Sequence, residues 1–94
     1  MDKKIKKQIE RELAKCNAEM AKSIQPNYYQ QSRACMLRLC LRDGIEVVVE
    51  CIKKNMSRYT QHTGVEWIKA DTDMLSDILT KWATWDILKC VGRP

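Results

Sequence analysis

The chain has 94 residues, 45% hydrophobic and 31% charged, with a formal net charge of +5; this suits one small domain and is too apolar for a wholly disordered segment. No apolar run approaches the ~18 residues that cross a membrane, and the basic residues 1–7 lead into no signal-peptide core, so the chain reads as cytosolic. A single histidine (His62), three widely spaced glycines and no C-x-x-C pair leave no phosphate loop, zinc spacing or nucleophile–base pattern. The expectation is a non-enzymatic protein with no cofactor and no metal.

Ile5, Ile9, Leu13, Cys16 and Met20 recur at helical spacing, and Asp2 can cap the start of that helix. A coiled-coil seam fails because it would bury Glu12 and Glu19. Lys3, Lys4, Lys6 and Lys7 crowd the positive end of the helix dipole, which suits a solvated end or a basic arm. Residues 23–27 break the pattern, with Pro26 holding Gln25 outside the helical region.

From residue 27 to residue 64 two readings compete. In the first, Leu37, Leu39 and Leu41 pair with Val49, Val47 and Ile45 across an Arg42-Asp43-Gly44 loop, and the Val47-Val48-Val49 run favours strand. In the second, Asp43-Gly44-Ile45-Glu46 is a capping box. Ile45, Val48, Val49, Ile52, Met56 and Tyr59 then share one helical face, which Gly64 closes. Upstream, Cys35, Met36, Leu39 and Cys40 lie with Tyr29 on one helical side. The helical reading accounts for more residues and is adopted. Thr63-Gly64-Val65-Glu66 repeats the capping signal and opens a short turn carrying Trp67 and Ile68. Asp71-Thr72-Asp73 then begin the last helix, where acids favour the dipole. Leu75, Ile78, Leu79, Trp82 and Trp85 share its apolar face, and Gly92-Arg93-Pro94 stop it.

The fold expected is therefore mainly α, a compact bundle of four or five helices. It forms a single domain over 1–94, with an N-terminal amphipathic helix in 1–22 and a compact body in 27–94. The alternative is an α+β fold with a 35–52 β-hairpin flanked by N- and C-terminal helices. The odd number of cysteines (Cys16, Cys35, Cys40, Cys51 and Cys90) fits reduced thiols buried as small hydrophobes rather than a disulfide framework.

Charge is uneven: residues 1–22 and 23–62 are each basic on balance, while residues 63–94 are slightly acidic. On a helix, Arg38 and Arg42 stack four apart with Arg33 off to one side, and Lys54 and Arg58 form a second pair. Arg38, Arg42, Lys54 and Arg58, with Tyr29 and Trp85 as aromatic anchors, are the candidate binding residues. Glu46 and Glu50 spoil a DNA recognition helix, and the tryptophans fall in the acidic third, away from the basic groove that base stacking needs. The expected function is a small binding protein that regulates or inhibits a larger, nucleic-acid-handling complex, of the kind phages use as accessory proteins. Its partner would be a protein, with a homodimer as the simplest case. The alternative is a small basic DNA- or RNA-binding regulator.

Overall fold

The computed structural model describes residues 1–82, 84 and 87–89. Four helices follow in order, α1 (Lys3–Lys22), α2 (Tyr28–Asp43), α3 (Ile45–Ser57) and α4 (Val65–Thr80). Residues 87–89 are again helical, and the described residues contain no strand. The mainly α fold is observed and the 35–52 hairpin does not form. Burial decides this against the β-branched run. Ile45, Val48, Val49 and Ile52 are at most 3% exposed, and each stabilises the fold by roughly 1.5–3 kcal/mol on burial. The helix penalty of such residues is at most ~0.7 kcal/mol each. A hairpin would instead place Val48 on the face of Glu46 and Glu50.

The Asp2 carboxylate accepts from the Lys4 and Ile5 amides at 2.7 and 3.3 Å, capping α1 as expected. Ile9 and Cys16 are buried along its stripe, with Ile5, Leu13 and Met20 half-buried beside them. The four N-terminal lysines are exposed. After the Pro26 break, the Asn27 side chain accepts from the Gln30 amide at 3.1 Å and starts α2.

One residue joins α2 to α3. Gly44 holds φ +105°, and its amide donates to the Cys40 carbonyl at 3.0 Å. The expected Asp43–Glu46 capping box is absent: Asp43 still belongs to α2 and pairs with Arg42, and Gly44 caps α3 without a side-chain bond. A link of one residue leaves Asp43 no room to leave α2 and cap the next helix. A Cβ at Gly44 would lie 2.9 Å from a Glu46 carboxylate oxygen, in a conformation that L residues rarely adopt. Gly44→Ala is expected to lower stability by about 1–2 kcal/mol, read as a lower urea midpoint at unchanged slope; an unmoved midpoint contradicts the strain argument.

Gly64 does not close α3, which already ends at Ser57 with Arg58 as its cap; Gly64 is instead the cap of α4. The turn between them is held by the Thr60 amide on the Thr63 hydroxyl at 2.8 Å and the His62 amide on the Thr60 hydroxyl at 3.2 Å. No glycine or proline interrupts residues 65–80. The expected short turn and last helix therefore merge, and Asp71 and Asp73 lie inside α4 rather than in its first turn.

α2 and α4 run in the same direction, meeting at Tyr28 and Trp67, Tyr29 and Asp73, and Arg33 and Asp77. α1 folds back along α2 and brings its start beside Gly44. Ile9, Leu37, Val48, Val49, Ile52, Met74, Ile78 and Trp82 are fully buried between them. Cys16 and Cys40 are buried as expected, whereas Cys35 is exposed and Cys51 only half-buried. Trp85, Cys90 and the terminal Gly92-Arg93-Pro94 lie outside the described residues.

Candidate functional site

The seam where α1, α2 and α4 meet is polar and internally paired. Arg33, 7% exposed, reaches Glu12 at 3.3 Å and also Asp77, which in turn holds Lys81 at 3.4 Å. Burial pulls the Arg33 pKa down, but the hydrogen bond and charge of Asp77 outweigh it and hold the group above its ordinary value. Tyr29 donates its hydroxyl to Asp73 at 2.5 Å, with the Lys69 ammonium 5.3 Å from its ring centre. Tyr59 donates to buried Asp71. Each aspartate of α4 thus ties down another part of the chain: Asp71 the 58–64 turn, Asp73 the start of α2, and Asp77 the pair α1–α2 through Arg33. The reading of Asp71 and Asp73 as simple dipole-favouring acids is corrected. Among the described residues no three His, Cys, Asp or Glu side chains converge as metal ligands. Burial raises the Cys16 and Cys40 thiols, which disfavours thiolate at either position.

These partly buried hydroxyls and buried thiols make stability depend on pH. Burial and then the Asp73 hydrogen bond push Tyr29 from its ordinary 10.0 up to about 12, and burial followed by the Glu46 charge pushes Cys40 from 9.0 up to about 12. A raised pKa means that the folded state holds the proton more tightly. The contribution is complete below the unfolded value and is lost as pH rises through the folded one. The urea midpoint is expected to stay level from pH 7 to about 9 and to fall between about 9 and 12. A midpoint level up to pH 11 contradicts this.

An apolar groove of about 530 Å³ lies between α2, α3 and the first half of α4. Cys35, Met36 and Leu39 line it from α2, and Cys51 and Asn55 from α3. Ser32, Arg58, Tyr59, Thr63, Gly64, Trp67 and Asp71 complete the lining. Trp67 is 54% exposed and stacks on Tyr28, 50% exposed, with ring centres 6.4 Å apart and planes 24° from parallel. The missing side chain of Gly64 makes room for this ring, since a Cβ there would lie 2.9 Å from Trp67 Cδ1.

No protein-family model, curated protein or solved structure matches this chain.

The functional argument therefore rests on the side chains. Of the residues expected from sequence, Arg58 lines the groove, whereas Arg38 and Lys54, on α2 and α3, are not among its lining residues. All three are exposed and have no ion-pair partner among the described residues. Arg42 is exposed but engaged by Asp43 at 3.0 Å. Tyr29 is turned into the α2–α4 contact by its bond to Asp73. Trp82, grouped in sequence with Trp85 on the apolar face of the last helix, is fully buried.

Tyr28 and Trp67 are the exposed aromatic residues that sequence reasoning passed over. Each stands in the first turn of a helix, just after a break. Their stacking requires α2 and α4 to start side by side, which no local pattern specifies. The fold also carries Trp67 out of the acidic third of the sequence to the groove lined by Arg58.

Proposed function

We propose that this chain is a small non-enzymatic binding protein that regulates or inhibits a larger macromolecular complex by occupying one of its surfaces. The docking face is the groove between α2, α3 and α4, with the Tyr28–Trp67 stack at its edge. That stack is the observation that carries the reading. Tyr and Trp dominate interface hot spots, and two half-exposed rings each leave roughly 100 Å² in water, or ~2.5 kcal/mol recoverable on docking. Arg58 in the groove lining, and the exposed Arg38 and Lys54 elsewhere on α2 and α3, would speed the encounter with a partner of opposite charge. No described helix is long and apolar enough to cross a membrane, and the four described cysteines are free thiols; both support a cytoplasmic working place.

Nucleic-acid binding has one observation in its favour: Trp67 and Arg58 line the same groove, the combination that base stacking uses. The apolar floor, with Met36 and Leu39, and the Asp71 carboxylate in the lining favour a protein. The test is a pull-down of tagged protein from lysate, with and without nuclease, comparing wild type with Trp67→Ala. A stoichiometric protein that survives nuclease and is lost in the variant is the expected result. Recovery of nucleic acid alone, or capture indifferent to Trp67, overturns it.

A further inference from the structure

We propose that the cleft between α1 and the end of α4 binds the phosphomonoester group of a small molecule. This site shares no lining residue with the docking groove and does not depend on it. The cleft encloses about 320 Å³, a volume that suits a small ligand. Gln8, Arg11, Glu12 and Lys15 line it from α1, and Lys81 and Trp82, just past α4, complete it. Three of these side chains are cations and one is an acid. The acid is already engaged, since Glu12 meets Lys15 at 3.5 Å and Arg33 at 3.3 Å. Lys81 pairs with Asp77, which Arg33 also holds. Arg11 is exposed and has no ion-pair partner among the described residues. Across this whole network, Arg11, Lys15, Arg33 and Lys81 face only Glu12 and Asp77, so two positive charges stay uncompensated. Arg11 and Lys15 also stand four apart on α1, where like charges repel, and the chain after α4 adds Lys81 to them.

The floor of the cleft supplies a second, independent observation. Trp82 is fully buried while Gln8, Arg11, Lys15 and Lys81 are exposed, so its ring closes the cleft beneath them. Its Nε1–H is buried and has no hydrogen-bond partner, although a buried indole N–H ordinarily finds an acceptor. A phosphomonoester dianion matches the surplus of two charges, and charge-assisted hydrogen bonds to its oxygens are the strong kind. One of those oxygens would accept from Nε1–H and another from the Gln8 carboxamide. A carboxylate would leave one charge unmatched, and a cation would meet like charge.

The experiment titrates the isotope-labelled full chain with methyl phosphate, inorganic phosphate and acetate in turn. The pH is slightly alkaline, where both phosphates are mainly dianions, and sodium chloride holds the ionic strength fixed. Backbone amide and tryptophan indole resonances are followed. Methyl phosphate is expected to give saturable shifts at the Trp82 indole N–H and at the amides of Gln8, Arg11 and Lys81, with at least tenfold higher affinity than acetate. Combined Arg11→Gln and Lys81→Gln substitution, on exposed positions and checked for unchanged circular dichroism, should weaken methyl phosphate at least tenfold. Shifts that grow linearly without saturating report an adventitious ion only and overturn the proposal. Saturable shifts that map elsewhere, affinity equal to that of acetate, or affinity unchanged in the double variant also overturn it. Binding of inorganic phosphate but not of methyl phosphate overturns the phosphomonoester class. Tighter binding of an oligothymidylate at the same residues overturns the small-molecule ligand.

Discussion

Replacing Arg33 by alanine is expected to destabilise the fold by about 3–5 kcal/mol, the usual result of removing one partner from a buried ion pair. Total stability for a domain of this length is on the order of 5–14 kcal/mol, so the variant should be largely unfolded in low urea. Among the described residues, Arg33 on α2 is the one side chain whose ion pairs reach both α1, through Glu12, and α4, through Asp77. Its loss leaves both carboxylates in the α1–α2–α4 seam with, among the described residues, only the exposed Lys15 and Lys81 to offset them. A second variant separates the cost of unpaired charge from the value of the pair. Joint replacement, Arg33→Met with Asp77→Leu and Glu12→Gln, should recover most of the loss, because an apolar seam carries no desolvation penalty. Urea denaturation of both variants checks this. A cost below about 1 kcal/mol for Arg33→Ala would place the pair with weakly contributing surface salt bridges.

Trp67→Ala should weaken partner binding about 30-fold or more, the loss typical of truncating an aromatic hot spot, while changing folding stability by no more than about 1.5 kcal/mol. The asymmetry follows from the exposure of the ring: its main fold contact is the stack on Tyr28, worth about 0.5–1.5 kcal/mol. Gly64→Ala provides a subtler test. Gly64 has φ −61°, which any residue adopts, so the backbone is not strained. Its new Cβ would meet Trp67 Cδ1 at 2.9 Å and displace the ring without deleting it. Binding should fall by an intermediate amount with the helix content unchanged. Wild-type affinity in Trp67→Ala would move the docking face elsewhere.

The parts of this protein readable from the chain are those whose causes lie within about four residues. The stripe of α1, its Asp2 cap and the break at Pro26 were legible because helical period and cap chemistry are local. The α3 helix was legible against its β-branched run because Ile45, Val48, Val49 and Ile52 share one helical face. Gly44 and Gly64 were placed at junctions, but their roles were misread. A glycine is compatible with the end of one helix and the start of the next, and only the packing of the flanking helices selects between them.

The candidate site belongs to the other category. The Arg33–Asp77 pair joins residues 44 positions apart, and the Tyr28–Trp67 stack spans a similar separation. Neither exists until α2 and α4 lie side by side in the same direction. The charged pattern on α2 and α3 was visible in sequence, so Arg38, Lys54 and Arg58 could be singled out. Which of the basic residues stay unpaired, and which aromatic ring shares a groove with Arg58, was decided by tertiary structure. Ion pairing and exposure depend on neighbours brought in from distant parts of the chain, and side-chain type alone does not encode them.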